Sequence, residues 1–447
     1  MEAKLNRIPV RDGQCHLKTT FPSGMASAIF LIVAGSLAFG QTAEQKKSFQ
    51  EYIREGVPTN KDIDVFLNDM SWAQFDQDVG YILDNYMPHD GMDSSSTIST
   101  VQSNGARTSF MYAGKPCRIN TYGNSFTQCH QVNDGETWQE YLAAHLGEPI
   151  RNFGMGGFGV YQAYRRMLRE EKTNHGAEYI ILYIWGDDHI RSLLRCRYIL
   201  TKDWNQQTTR TEGIGRMFHG NFWSHMEIDL ETGKLVEKEN LLPTPQSLYK
   251  MTDPDWMYET LKDDLALQMY LYKNSQIKDI PIQPLKTLSK HLKCQVDLSG
   301  ENLRLSVAKL LDKYSFEATK YILNKAKEFT SANNKKLMVI IFDPSLTRQL
   351  LNKTEIRYDQ EIVDFLNEKD FNYIDMNLVH VEDFKSFNLS VDDYFKRYFI
   401  GHYSPVGNHF FAYSIKDRII KWLDPKPITY EDSTRRMIKF KGYLQDY

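Results

Sequence analysis

The sequence is short of several features that would settle its class at once. Its 447 residues carry 54 Lys and Arg against 57 Asp and Glu, a net charge of −3. No basic stripe is present to neutralise phosphates, which argues against a nucleic-acid partner. Five cysteines lack paired C-x-x-C spacing, so no cysteine-built zinc site is expected. There is no internal repeat, low-complexity tract or heptad pattern. The N-terminal apolar run, Ala26 to Phe39, is shorter than the roughly 20 residues a spanning helix needs. With 41% apolar and 25% charged residues, the rest is ordinary for a globular protein.

The same apolar run has a second meaning. Lys18 precedes it and Ala38-Phe39-Gly40 closes it. A charged start, a short apolar middle and a small-x-small end describe a secretory signal. The expectation is therefore a secreted or periplasmic protein with no stable membrane insertion once residues 1–40 are removed; an uncleaved N-terminal anchor is the alternative. Export permits disulfides, but Cys117, Cys129, Cys196 and Cys294 are equally compatible with free thiols, and no pairing is readable.

Residues 41–114 read as a small mixed lead-in. Short helices are expected over Ala43 to Glu55 and Ile63 to Phe75, then a β-rich edge turning at Asn104-Gly105, a hairpin dipeptide. From residue 115 to 424 strand-like and helix-like segments alternate. Strands are expected at Arg118–Tyr122, Pro149–Phe153, Tyr179–Trp185, Lys336–Phe342 and Phe371–Asp375. The continuous apolar run of the third suits a strand buried on both faces. Helices are expected from Val160 to Lys172, from about Phe316 to Ser331 and from about Val406 to Trp422. Such alternation predicts an α/β fold with a parallel sheet between two helical layers. The rhythm lapses over about 190–315, an aromatic-rich, mainly helical insertion placed to act as a lid or substrate platform. Residues 425–447 form a charged tail.

Chemistry-bearing residues gather where strands end. Gly123-Asn124-Ser125-Phe126-Thr127 follows the first strand, and Asn152 to Gly159 follows the second. Trp185-Gly186-Asp187-Asp188-His189 follows the third, and Gly401-His402-Tyr403-Ser404-Pro405 precedes the last helix. Serine at a strand-to-helix turn and a histidine elsewhere suit nucleophilic catalysis, because an alcohol attacks only after a base takes its proton. Asp187, Asp188 and His189 could also suggest a metal, but neighbours on one strand end point in alternate directions, so none is expected. Asp188 or His189 is expected to brace the loop, for example through Arg191. His130 lies close to Ser125 in sequence, but a helix starting there points it away. His409 is expected to be a core histidine of the last helix.

In identity, order and spacing, these blocks resemble the SGNH (GDSL-type) hydrolases. The first block extends through Asn124-Ser125-Phe126-Thr127 and Val132 to Trp138, and the likeness spans about 115–190 and 335–423. It implies the three-layer, flavodoxin-like SGNH hydrolase fold with a parallel five-stranded sheet and no cofactor. By the resemblance, Ser125 is the nucleophile and His402 the base. The oxyanion donors are the Ser125 N–H, Gly157 and the third-block position, here Asp187. Two departures stand out. Asp187 replaces the family's asparagine, and an ionised carboxylate cannot donate to an oxyanion. Phe399 stands where the family has the aspartate that orients its histidine. Asp375 or Asp393 is the expected substitute, with a backbone carbonyl as the alternative.

The expected activity is ester hydrolysis through a Ser–His acyl-enzyme, with a small-molecule or glycan ester as substrate and acetyl esters on carbohydrate as one form. Two other readings remain open: an O-acyltransferase acting on a glycan with the same site, and a catalytically impaired carbohydrate-binding module.

Overall fold

The computed structural model describes residues 47–68, 72–197, 220–353 and 357–430. The expected signal segment and residues 431–447 of the tail lie outside the described residues. The main sheet has five strands, numbered here in chain order: β1 Ile119–Tyr122, β2 Arg151–Asn152, β3 Tyr179–Trp185, β4 Lys336–Phe342 and β5 Tyr373–Asp375. β3 and β4 keep both expected bounds; the others are shorter than expected. All neighbours are parallel. Their spatial order is β2-β1-β3-β4-β5, so the order reverses between β1 and β3. In open α/β sheets, the crevice for ligands lies at that reversal, beyond the carboxyl ends of the strands.

Side chains alternate across the sheet with the period of two that a strand imposes. Ile180, Leu182, Ile184, Val339 and Ile341 enter one buried cluster. Tyr179, Ile181, Tyr183, Met338, Ile340 and Phe342 enter the other. The second cluster is closed by the helices Trp138–Leu146 and Pro405–Trp422, which pack on each other. The first is closed by Val160–Glu170 and Leu303–Ala332. Both faces are therefore covered, which is why the central strands read as near-continuous apolar runs.

The lead-in and the insertion share the first cluster. Phe49, Ile53 and Tyr81 lie there with Leu261, Leu267 and Leu285. The lead-in contains helices Phe49–Glu55 and Asn60–Asn68, followed by an antiparallel hairpin of Ala73–Asp76 and Gly80–Leu83. The helix expected to reach Phe75 thus stops earlier, and Phe75 is in a strand. In the insertion, expected to be mainly helical, the stretch Tyr258 to Tyr272 is two helices, Pro254–Leu261 and Leu265–Lys273. Asp264 interrupts it, accepting the Leu267 N–H at 2.9 Å as the cap of the second helix. A hairpin, His225–Ile228 with Leu235–Lys238, adds strand to a region expected to be mainly helical. Among the described residues, the four cysteines are free, and no helix is long and apolar enough to cross a membrane.

Candidate active site

Gly123 ends β1 with φ +155°, and a Cβ there would lie 2.3 Å from Thr127 Oγ1 and 2.6 Å from the Tyr183 carbonyl oxygen. Only glycine lets the turn come this close to β3. Asn124 then caps the short helix Ser125–Gln128, accepting the Phe126 N–H at 2.8 Å. Its amide nitrogen donates to the Asp188 carboxylate. Asp188 also accepts the Trp185 N–H at 2.9 Å and pairs with Arg191 at 3.2 Å. Burial pushes the Asp188 carboxyl up to about 7, against the pull of Arg191 and these donors. The loop after β3 is thereby tied to the residue preceding Ser125.

The chain returns to this turn 277 positions later: His402 Nε2 lies 2.8 Å from Ser125 Oγ. The group that orients His402 is Gln131. Its Oε1 accepts from His402 Nδ1 at 3.0 Å and from the His402 backbone N–H at 2.8 Å. Its Nε2 donates to the carbonyls of Asp90 at 3.0 Å and Ile400 at 3.2 Å. Each end of the amide thus faces partners of the right kind, which fixes its orientation and places the imidazole proton on Nδ1. Nε2 is left with a lone pair facing the serine hydroxyl. Gly401 makes room for this contact: a Cβ there would meet Gln131 Oε1 at 2.6 Å, and its φ is +121°.

The loop carrying Gln131 is unusual. Cys129 and Gln131 are both left-handed, with φ of 60° and 73°, a conformation that costs a non-glycine residue about 1–3 kcal/mol unless its surroundings impose it. The imposing group is Arg107, 2% exposed. Its guanidinium donates to the carbonyls of Gln128 and Cys129, both at 2.6 Å, and of Val132 at 2.5 Å. Its Nε pairs with Asp134 at 2.8 Å.

The same loop corrects the expectation for His130. The left-handed Cys129 ends the helix, so His130 turns toward the site, its ring 5.2 Å from that of His402. His130 Nε2 pairs with Asp90 at 2.9 Å. Burial raises the Asp90 carboxyl, but hydrogen bonds from His130 and Thr97 outweigh it and hold the group below its ordinary value. His402 is pushed down to about 3, chiefly by burial and further by the neighbouring His130, with Asp90 opposing. At neutral pH it is an uncharged base.

The loop after β2 packs over the nucleophile turn. A Cβ on Gly154 would lie 2.3 Å from the Gln128 nitrogen, and the Gly156 N–H donates to Gln128 Oε1 at 2.7 Å. Gly157 has φ +82°, and its carbonyl accepts from Arg197 at 2.8 Å. Among the described residues, the N–H groups of Ser125 and Gly157 have no acceptor. Asp187 is 53% exposed, with Arg191 3.7 Å away; as an anion it brings no hydrogen to an oxyanion.

Both carboxylates expected to orient His402 are engaged elsewhere. Asp375 pairs with Arg357 and caps the helix Met376–Phe384, accepting the Asn377 N–H at 3.0 Å. Asp393 is an exposed residue bound to Ser390 and Lys396. His189 bonds Thr319 Oγ1 at 2.8 Å on the helix Leu303–Ala332. His409 is exposed rather than in the core, beside Tyr141 and Tyr413. His380 is a core histidine, wholly buried between the hydroxyls of Tyr394 at 2.9 Å and Tyr403 at 2.7 Å. Among the described residues, no cluster of His, Cys, Asp and Glu could hold a metal ion. No family model and no curated protein matches this chain.

Proposed function

We propose that the protein is a serine ester hydrolase of SGNH type, working through Ser125, His402 and Gln131. The observation that carries the reading is the chain of contacts from Ser125 Oγ to His402 Nε2, 2.8 Å, and from Nδ1 to Gln131 Oε1, 3.0 Å. A nucleophile, a base within hydrogen-bond reach and a third group orienting the base are the parts this chemistry needs. They lie at the carboxyl ends of the strands, at the reversal of the sheet. The resemblance of the sequence blocks adds the family.

In the acylation step, Ser125 Oγ bonds to the ester carbonyl carbon as its proton passes to His402 Nε2. The tetrahedral oxyanion is met by the N–H groups of Ser125 and Gly157, which have no other acceptor among the described residues. Preorganised donors of this kind contribute about 3–4 kcal/mol each in known enzymes. The carbon–oxygen bond to the leaving alcohol then breaks, and His402 returns the proton to that oxygen. Water, or an acceptor hydroxyl in the transferase form of the reaction, repeats the sequence and restores Ser125. Gln131 differs from the aspartate of the family in one respect: it fixes the tautomer without adding charge. The reading of an impaired binding module rested on the missing carboxylate and on Asp187; Gln131 supplies the missing acceptor, while Asp187 still brings an acid in place of a donor. Extracellular action belongs to the same proposal, on the strength of the N-terminal sequence pattern.

Fluorophosphonate labelling tests the reading. Wild type is expected to be labelled at Ser125 and to hydrolyse short acyl esters, and Ser125→Ala to do neither. An unlabelled wild type rejects it.

A further inference from the structure

Proton transfer at Ser125 leaves no task for His130, yet the fold places it with care. Its backbone N–H donates to the Ser125 carbonyl at 3.0 Å. The left-handed residues on either side, pinned by Arg107, turn its ring to face His402 at an interplanar angle of 69°. Trp72 approaches it edge-on at 6.2 Å, and Asp90 holds Nε2. Asp90 is itself steadied by the Thr97 hydroxyl at 3.1 Å. The side chain nonetheless keeps 23% of its surface open, and Nδ1 has no partner among the described residues.

A carboxylate on Nε2 keeps the ring proton on that nitrogen, so a neutral His130 keeps a lone pair on Nδ1, in a part-open side chain beside the His402 ring. A lone pair calls for a donor. An ester group has none: its carbonyl and bridging oxygens only accept. A hydroxyl elsewhere on the alcohol does have one. We propose that His130, oriented by Asp90, binds a second hydroxyl on the alcohol portion of the ester, so that the site prefers esters of polyhydroxylated, sugar-type alcohols over esters lacking a further hydroxyl. This rests on the proposed ester hydrolysis and names the substrate class of that site. His130 then binds substrate without taking part in proton transfer, which stays with His402.

The test compares p-nitrophenyl acetate, which has no hydroxyl, with a mono-O-acetylated methyl glucoside. The proteins are wild type, His130→Phe, which keeps a ring against Trp72 and His402, and Asp90→Asn, which loosens the choice of tautomer. One neutral hydrogen bond corresponds to a factor of about three to ten. His130→Phe is expected to lower kcat/KM for the sugar ester by about tenfold, mainly through KM, and that for the aryl ester by about twofold. Asp90→Asn should shift the ratio the same way by a smaller factor, and it carries the test should His130→Phe fail to fold. A ratio of the two kcat/KM values unmoved in both variants overturns the assignment. Absence of Ser125 labelling in wild type would instead reject the ester reading itself.

Discussion

Two histidines meet edge to face beside Ser125, and they are held by opposite kinds of partner. His402 reaches Ser125, is pushed well down in pKa by burial, and is oriented by the neutral amide of Gln131. His130 makes no contact with the serine hydroxyl, keeps open surface, and is oriented by the Asp90 carboxylate. The charged orienter thus serves the histidine away from the nucleophile. The amide of Gln131 fixes the His402 tautomer without adding a charge beside it, so its orienter does nothing to favour the protonated ring. On the proposed reading, the difference separates two jobs that sequence motifs tend to merge: moving a proton and holding a hydroxyl.

Removal of His402 bears hardest on this comparison. His402→Ala is expected to lower kcat by about 10³-fold or more, in the upper range for loss of a positioned base. A folded His402→Ala protein with near-normal turnover would show that the roles are reversed. Next comes the support shared by both histidines. Arg107→Met takes the cation from Asp134, which keeps only its bonds from Thr100, and removes a donor from three carbonyls; breaking a buried ion pair costs about 3–5 kcal/mol. The midpoint of urea unfolding should fall accordingly. Gln131→Ala should cost about 10²-fold in kcat, as a supporting residue. Gln131→Glu is sharper: a carboxylate at this position raises the His402 pKa, so the acid limb of kcat/KM moves to higher pH. An unmoved limb would mean that Gln131 does not set the state of His402.

A smaller effect concerns stability against acid. Burial depresses His402 and His380 to about 3 and His189 to about 4. Folding therefore favours their neutral forms. Their contribution is complete above the unfolded histidine value of about 6.5 and is lost as pH falls toward the folded values. The thermal midpoint should begin to drop near pH 6.5, before ordinary carboxylates titrate; a curve flat down to pH 4 would contradict this. The smallest expected effect is at Asp375, where Asp375→Asn should leave kcat within about twofold because its partner is Arg357.

The framework of the sheet was legible because both faces are buried, which gives β3 and β4 unbroken apolar runs with sharp ends. Gly123 and Gly401 stood beside the reactive residues for a steric reason that the close contacts make visible. The orienter was not legible. A search for a carboxylate near His402 in sequence could not reach an amide 271 positions away. Asp375 drew attention by its place at a strand end, yet an aspartate followed by Met376-Asn377 and a helical run is also a capping signal. His130 was misread because a helix was expected to start there, and the left-handed turn at Cys129 depends on Arg107, a contact from outside the local sequence. His409 was misplaced because the last helix buries Phe411, Ala412 and Ile415 and leaves that position on its outer side.

Arg107 has one more consequence. It belongs to the lead-in, ahead of every strand of the main sheet, while His402 lies near the far end of the chain. A ribosome releases the first long before the second, and the loop carrying His130 and Gln131 takes its shape only when the lead-in and the α/β unit are both in place. On the proposed reading, an unfinished or misassembled chain holds its serine without a working base, and the α/β unit cut free of its N-terminal segment loses its chemistry.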